Sequence, residues 1–367
     1  MSTAPPNTAI RMIAVDLDGT LLGEDGKVSP RNLAALHAAE AAGIEIVVAT
    51  GRRHSYAMRV LLLLGLAPAS ALVSSNGTVT RTLGSATVAT ELIARAHLSN
   101  ATVLWLLGHI PDYRNSLVLT FDRVGPDGED TRGALVVEHL DELHTSIGKW
   151  MASNAPYIDL VNPIEAALTA DADAPIQMML CGTVARMARA EAHLRELGAP
   201  PAEPGARPSP GHDALQSPPH QTSNISSESS NQTPGAPSMT ASPSWVGSNH
   251  LPNPSPNHNI DHKITLHRTE YPIRDLSILD ILPAGCSKGA ALLSLAATRQ
   301  IDPTQILAIG DNWNDISMLE IAGAAVLMAN APEDLKSLAR QRGWQIGPSN
   351  SADGVAEAIE SALAVLC

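Results

Sequence analysis

Short apolar runs alternate with helix-like segments at both ends of this chain, and this alternation constrains its fold more than any other feature. Near the start, helix-like segments separate three strand-like runs, which are RMIAVDL, IEIVVAT and SALVSSNG. The alternation returns at the other end, from SKGAALLSLAATR to DGVAEAIESAL. Strands that alternate with helices form a parallel sheet with helices on both faces. We therefore predict that 9–84 and 285–367 together form one doubly wound, parallel-sheet α/β core.

The segment 85–284 interrupts this alternation of strands and helices. Its strand-like runs stand further apart, and VARMARAEAHLREL has the pattern of a helix. These features predict an inserted α+β domain. Within it, 200–260 is rich in proline, serine and asparagine and contains no lysine. Such a composition buries too little apolar surface to fold, so we predict that 200–260 is disordered.

Charge and cysteine content restrict the partners and the compartment. The formal net charge of −13 disfavours nucleic acid and anionic membranes, whose phosphates attract lysine and arginine. The three cysteines lie far apart without a CxxC pair, which suits a reducing cytoplasm. No signal peptide is evident, and the most apolar window, VLLLLGLAPASALV, is shorter than the about 20 residues that span a bilayer. We expect a soluble cytoplasmic protein, and the sequence leaves its oligomeric state open.

Three of the strand-like runs end in groups that can do chemistry. The first ends in Asp16 and Asp18. The second ends in Thr50 and Gly51, and a late run ends in GDNWND. In an open parallel sheet, ligands bind beyond the carboxyl ends of the strands. If these strands are neighbours, Asp16, Asp18 and Asp311 converge on one crevice, and three carboxyl groups together indicate Mg²⁺.

These groups suit a site for phosphoryl transfer. The Thr50 hydroxyl and the backbone amide of Gly51 could hold phosphate oxygens at the start of a helix. Lys288 opens a later helix and could offset the remaining negative charge. Asp16 could then attack phosphorus as a carboxylate nucleophile and form an aspartyl-phosphate. Asp18 could pass a proton to the leaving oxygen and later activate water.

The order of these motifs resembles the haloacid dehalogenase (HAD) superfamily, and in particular its Cof-type phosphatase branch. The matching segments are DLDGTLL, ATGR, SSNG, LPAGCSKGAAL, IGDNWNDISML, MANAPEDLK and ADGVAEAI. DxDGT alone is a moderately specific signal, whereas DxDGT, TGR, SKG and GDxxND in this order are highly specific. The resemblance implies a Rossmann-like HAD core, with 85–284 as a cap domain that closes over the site and selects the substrate.

The resemblance also implies roles for the site residues. Asp16 would be the nucleophile and Asp18 the general acid and base. Mg²⁺ would be bound by the Asp16 side chain, the Asp18 backbone carbonyl and Asp311, with Asp315 supporting the metal site. The phosphoryl group would be held by Thr50, Gly51, Lys288 and Asn314.

Two further side chains stand beside these motifs. Of the adjacent arginines that follow Gly51, we expect Arg52 to lie near the site and to bind substrate. Trp313 occupies a position that is often small or polar in relatives, where it could stack on a substrate or cover the metal loop. The segment 200–260 also departs from the compact pattern of the family, although it leaves the chemistry untouched.

The leading hypothesis is a Mg²⁺-dependent phosphatase that acts on a small phosphorylated metabolite. Sugar phosphates are the first class expected, followed by nucleotide-type and cofactor phosphates. A phosphotransferase or phosphomutase on the same scaffold is the nearest alternative, because water and a sugar hydroxyl would use the same residues. A non-catalytic binding protein is the third, but such a protein has no physical need for the cluster of charges at Asp16, Asp18, Lys288 and Asp311.

Overall fold

A computed structural model describes residues 9–85, 87–125, 128–170, 173–197, 264–271 and 274–364. The segment 200–260, for which we predicted disorder, lies outside these residues. The described chain forms two β-sheets, each with helices on both faces. No helix within the described ranges is both long enough and apolar enough to cross a membrane.

In the described residues, the larger sheet has eight strands in the order β14-β13-β12-β1-β2-β3-β4-β5. From β14 to β3 all neighbours are parallel, whereas β4 and β5 add an antiparallel edge. The strands are β1 (Met12–Val15), β2 (Glu45–Ala49), β3 (Ala71–Ser74), β4 (Val79–Thr82), β5 (Leu92–Arg95), β12 (Ile306–Gly310), β13 (Ala324–Met328) and β14 (Gln345–Gly347). The long parallel part confirms the α/β class expected from the alternating runs.

Alternate residues of each buried strand point to opposite faces, and three helices of the described residues cover each face. Ile13 and Val15 pack on one face, and Met12 and Ala14 on the other. The first face is covered by α1 (Pro30–Ala41), α2 (His54–Leu61) and α9 (Gly354–Ala364). The second is covered by α6 (Lys288–Thr298), α7 (Ile316–Ile321) and α8 (Glu333–Arg342). Covering both faces makes the sheet doubly wound, as predicted.

The helix α1 shows how local sequence sets an element's bounds. The Ser29 hydroxyl accepts a hydrogen bond from the Asn32 backbone N–H at 3.1 Å, which satisfies a donor that the first turn leaves without a helical partner. Pro30 follows in the first turn, where no N–H is needed. Gly43 lies just beyond the end at φ +80°, a conformation that glycine adopts at low cost. Ser29, Pro30 and Gly43 therefore mark where this helix begins and ends.

The second sheet is built from the inserted part of the chain and has six strands in the described residues, in the order β10-β11-β9-β6-β7-β8. They are β6 (Leu117–Thr120), β7 (Leu135–Val137), β8 (Ile158–Leu160), β9 (Gln177–Gly182), β10 (Ile264–Tyr271) and β11 (Leu276–Pro283). One face packs against α3 (Asn100–His109) and α5 (Val184–Glu196), and the other against α4 (Asp141–Asn154). We call this sheet with its helices the cap.

Two short connections join the larger sheet to the cap. Residues 96–99 lead from β5 to α3, and residues 284–287 lead from β11 to α6. The strand β5 belongs to the larger sheet although it lies in the segment 85–284. The bounds predicted for the two domains stay a prediction.

Candidate active site

The site residues lie at one edge of the larger sheet because three adjacent parallel strands end there. The order β12-β1-β2 brings together the residues that follow these strands, which are Asp311, Asp16 and Thr50. Lys288 is the first residue of α6, which packs on one face of the same sheet. The structure therefore brings together side chains that lie nearly 300 residues apart in the sequence.

Lys288 forms the centre of a buried cluster of charges. Its ammonium Nζ donates to Asp16 Oδ1 at 2.5 Å and to Asp315 Oδ1 at 2.6 Å. Lys288 and Asp315 are fully buried, and Asp16 is 4% exposed. Burial disfavours the charge on Lys288, but the two carboxylates outweigh this effect and raise the pKa of the ammonium group. Burial also raises the pKa of Asp16 well above its ordinary value, although Lys288 opposes the change.

Asp311 stands beside this cluster as a third buried acid. Its Oδ1 accepts a hydrogen bond from the Thr20 hydroxyl at 2.7 Å. Burial, and then repulsion from Asp315, raise the pKa of Asp311 to about 7. The carboxylates of Asp16, Asp311 and Asp315 offer oxygen atoms within 4.8 Å of one another. Oxygen ligands grouped in this way suit a hard divalent cation, so these residues can hold a metal ion.

The three acids differ in how many of their oxygens are already engaged. Asp315 Oδ2 accepts the backbone N–H groups of Asp311 and Asn312, each at 2.9 Å, while its Oδ1 accepts from Lys288. Asp315 thus shapes the loop after β12 and holds the ammonium group. Within the described part of the chain, Asp311 Oδ2 accepts only a long contact from Asn330 Nδ2, at 3.4 Å, so Asp16 and Asp311 are the carboxylates that fit a direct ligand role.

Asp18 lies apart from the buried cluster and is paired with Arg52. The guanidinium group donates from Nε to Asp18 Oδ2 at 2.7 Å and from a terminal nitrogen to Oδ1 at 2.5 Å. The Asp18 side chain is 55% exposed, so its carboxylate faces the open crevice. Arg52 also lies 4.8 Å from the centre of the Tyr56 ring. Both predicted residues are therefore at the site, in contact with each other.

Gly19 permits the close approach of the loop after β1 to Asp311. Its φ of +81° is in the left-handed region. A Cβ atom there would lie 2.4 Å from Asp311 Oδ2, well inside van der Waals contact. The glycine of the DLDGT motif is thus required by both its backbone conformation and its space.

Thr50 and Gly51 meet a residue that sequence reasoning did not single out, Asn76. Thr50 is buried, and its hydroxyl accepts the backbone N–H of Arg52 at 3.1 Å. A Cβ at Gly51 would lie 3.2 Å from Asn76 Oδ1, and Asn314 donates to the same oxygen at 3.2 Å. Asn76 belongs to the SSNG motif. Its backbone lies in the left-handed region, with a φ of +54°, which only the structure reveals.

The cap contributes a buried acid that was also missed. Asp280 on β11 accepts hydrogen bonds from Asn76 Nδ2 at 2.8 Å and from Gln177 Nε2 at 2.5 Å. Burial raises the pKa of Asp280 to about 7, although both hydrogen bonds oppose the change. The lone acid within the apolar strand LSILDILP was the available signal.

These groups surround one cavity of about 230 Å³, which we call the inner cavity. Its core side includes Asp16, Asp18, Thr50 and Arg52, and its cap side includes Gln177 and Asp280. Trp313 is 36% exposed and lines a different cavity, together with His267 and Arg268. Stacking of Trp313 on a ligand of the inner cavity therefore has no support from its position.

The sequence profile of the haloacid dehalogenase-like hydrolases matches residues 13–124 and 260–359, which is more than half of the chain. The chain belongs to this family. In the haloacid dehalogenase-like hydrolase described here, the matched ranges contain the acids that meet at the edge of the larger sheet, together with Lys288.

Curated relatives share part of this sequence. A Bacillus subtilis protein named 5-amino-6-(5-phospho-D-ribitylamino)uracil phosphatase is 42% identical over 86 residues, which are 23% of this chain and 29% of the relative. A phosphoglycolate phosphatase from Methanococcoides burtonii is 37% identical over 95 residues, which are 24% of this chain and 40% of the relative. The matches therefore span less than half the length of these relatives.

Solved structures share the fold over nearly the whole chain. A phosphatase of this superfamily from Bacteroides thetaiotaomicron superposes with a TM-score of 0.62 at 18% identity, over 100% of this chain and 98% of that one. A structure described as a subclass IIB sugar phosphatase gives a TM-score of 0.61 at 17% identity, over 97% and 99% of the two chains. At this identity the likeness establishes the fold, including the cap.

Proposed function

We propose that this protein is a phosphatase that hydrolyses a small phosphorylated metabolite through an aspartyl-phosphate. The observation that carries the proposal is the buried Lys288 shared by Asp16 and Asp315, with Asp311 beside them. Such a cluster holds a carboxylate nucleophile close to positive charge at the end of a parallel sheet. The names of the two phosphatase relatives support the same class of substrate.

The proposed reaction has two steps. In the first, an Asp16 oxygen forms a bond to phosphorus while the bond from phosphorus to the leaving oxygen breaks, and Asp18 gives a proton to that oxygen. In the second, water loses a proton to Asp18 and its oxygen bonds to phosphorus while the bond from phosphorus to the Asp16 oxygen breaks, which releases phosphate and restores the Asp16 carboxylate. Lys288 holds Asp16 in place through the 2.5 Å hydrogen bond. Thr50, Gly51, Arg52 and Asn314, which line the inner cavity, would hold the phosphoryl oxygens.

The donor set fits Mg²⁺, which we propose as the cofactor. The ion would be held by the Asp16 side chain, the Asp18 backbone carbonyl and Asp311, with Asp315 behind them. When bound, Mg²⁺ would supply positive charge that lowers the repulsion between the carboxylates and the phosphoryl group. The raised pKa values of Asp16 and Asp311 support this assignment, because a cation is the natural counterpart of such crowded acids.

Sugar phosphates are the first substrate class that we propose. The cap side of the inner cavity offers hydrogen-bonding groups to hydroxyls, from Thr120, Gln177, Thr269 and Asp280. The cytoplasmic location inferred from the cysteine pattern stays a prediction.

Hydrolysis of p-nitrophenyl phosphate tests the proposal. We expect phosphate release with Mg²⁺, its loss in EDTA, and no measurable activity in Asp16→Asn with an unchanged circular dichroism spectrum. Glu91→Gln is the matched control, because Glu91 is an exposed acid outside the site, and it should keep wild-type activity. An active Asp16→Asn protein would rule out the nucleophile. Transfer of phosphate to an added sugar would favour the phosphotransferase, and an inactive wild type would favour a binding protein.

A further inference from the structure

A second cavity adjoins the inner one and shares five lining residues with it, namely Tyr56, Trp150, Met179, Tyr271 and Ile278. It has a volume of about 330 Å³, within the usual range for ligand sites of about 300–1,000 Å³. We call it the outer cavity. The proposed phosphoryl position lies in the inner cavity, so the outer cavity would receive the part of the substrate that is remote from the phosphoryl group.

The aromatic content of these two cavities is unusual for this chain. The whole sequence has five Trp, four Tyr and one Phe in 367 residues. Three of these side chains, Tyr56, Trp150 and Tyr271, line both cavities. They come from three separate elements, α2 in the core and α4 and β10 in the cap. Chance placement on one helix or strand therefore does not account for their meeting.

The three rings differ in the stacking contacts that they already make. Tyr56 is already flanked by Arg52 and Arg59, whose guanidinium carbons lie 4.8 and 5.8 Å from its ring centre. Within the described ranges, neither Trp150 nor Tyr271 stacks on a cation or on another aromatic ring. Tyr271 lines the inner cavity together with Asp18 and Asp280, so its ring lies beside the reacting end of the crevice.

The outer cavity also contains two cationic side chains. Lys149 and Arg274 line this cavity but not the inner one. Neither forms an ion pair with another residue of the described ranges. Apart from Ser153, the other side chains unique to this cavity are the apolar Ile147 and Leu276. Flat apolar surfaces with cationic donors fit a planar ring whose edge carries carbonyl oxygens.

We propose that the outer cavity binds a planar, carbonyl-bearing ring of the substrate, joined by a polar chain to the phosphoryl group in the inner cavity. This inference rests on the proposed phosphatase activity and narrows its substrate to phosphorylated sugars or sugar alcohols that carry such a ring. Trp150 and Tyr271 stack on the ring, and Gln177 and Asp280 face the hydroxyls of the connecting chain.

Two matched substrate pairs test the proposal on the full-length enzyme. Each pair has the same phosphorylated sugar or sugar alcohol with and without a planar ring, namely flavin mononucleotide with ribitol 5-phosphate, and uridine 5′-monophosphate with ribose 5-phosphate. We call the members without the planar ring ring-free. Stacking on aromatic side chains gives an expected preference in kcat/KM of about tenfold for the ring-bearing member of at least one pair. In Trp150→Leu and in Tyr271→Leu we expect the ratio of kcat/KM between the ring-bearing and the ring-free member of that pair to fall towards one.

The control is Trp105→Leu, because Trp105 packs from α3 on the opposite face of the cap sheet, and it should keep the preference. Thermal unfolding of all variants excludes a general loss of fold. Equal or better hydrolysis of the ring-free compounds in both pairs overturns this inference alone. So does a preference that survives both leucine variants. If neither these compounds nor p-nitrophenyl phosphate release phosphate, the proposed function fails as well.

Discussion

Replacing Lys288 with methionine removes the ammonium group that two buried carboxylates share. Methionine has a similar length and fills much of the same space, so the change isolates the charge. Asp16 and Asp315 would lose hydrogen bonds of 2.5 and 2.6 Å, and Asp311 adds a third acid within 4.8 Å. The expected consequence is a buried site with negative charge and no cation.

The structure sets the expected magnitude. Removing one partner of a buried ion pair costs about 3–5 kcal/mol, because the remaining charge stays buried without compensation. Lys288 is 0% exposed and has two such partners, so we expect Lys288→Met to lower the free energy of unfolding by about 3–5 kcal/mol. Urea unfolding at pH 7 measures this value. Added Mg²⁺ should restore part of it, since a cation that binds only the folded state stabilises that state.

Lys336→Met is the matched control. Its ammonium group lies 2.7 Å from Glu333 on α8, but Glu333 is 78% exposed. An ion pair on the surface contributes about 0–1 kcal/mol, so this variant should unfold almost as the wild type does. If Lys288→Met were as stable as Lys336→Met in EDTA, the reasoning about a charged buried cluster would be wrong.

Two further predictions concern Gly19 and Asp280. Gly19→Ala should lose most of its phosphatase activity and weaken Mg²⁺ binding measured by calorimetry, because the added Cβ would lie 2.4 Å from Asp311 Oδ2; normal activity would contradict this. In the folded protein the pKa of Asp280 is raised to about 7, from an ordinary value of 3.8. The stabilisation that results from this raised pKa is complete below pH 3.8 and is lost as the pH rises towards 7. Urea unfolding at a series of pH values should therefore show the wild type losing stability relative to Asp280→Asn across this range.

The parallel core could be predicted because its local signals agree with each other. Buried strands such as β1 and β2 are continuous apolar runs, and capping residues such as Ser29 mark where helices begin. The acids after β1 and β12 could also be foreseen, since a parallel sheet brings the carboxyl ends of its strands together. Their convergence also required β1 and β12 to be neighbours, which the sequence left as a condition and the structure shows.

Two cap helices were not predicted, for identifiable reasons. The helix α3 contains WLL within a largely apolar stretch, so it shows no clear polar face. The helix α4 has no side-chain cap, and Ile147 interrupts it with a φ of −131°. In both, packing against the cap sheet decides the structure where the local pattern does not.

The contacts made by polar residues were harder to foresee than their positions. Asp18 and Arg52 were both expected at the site, but their pairing depends on the path of two separate loops. The chain from Asn314 through Asn76 to Asp280 links the core to the cap by hydrogen bonds between side chains. The hydrophobic pattern of a single sequence does not predict such hydrogen bonds, because the partners lie far apart in the chain and none has a distinctive local pattern.

The two crossings between the larger sheet and the cap, 96–99 and 284–287, are each only four residues long. Short connections at both ends restrict how far the cap can shift relative to the larger sheet. The second of them ends where α6 begins, at Lys288. The same four residues therefore set both the attachment of the cap and the position of the ammonium group that holds Asp16.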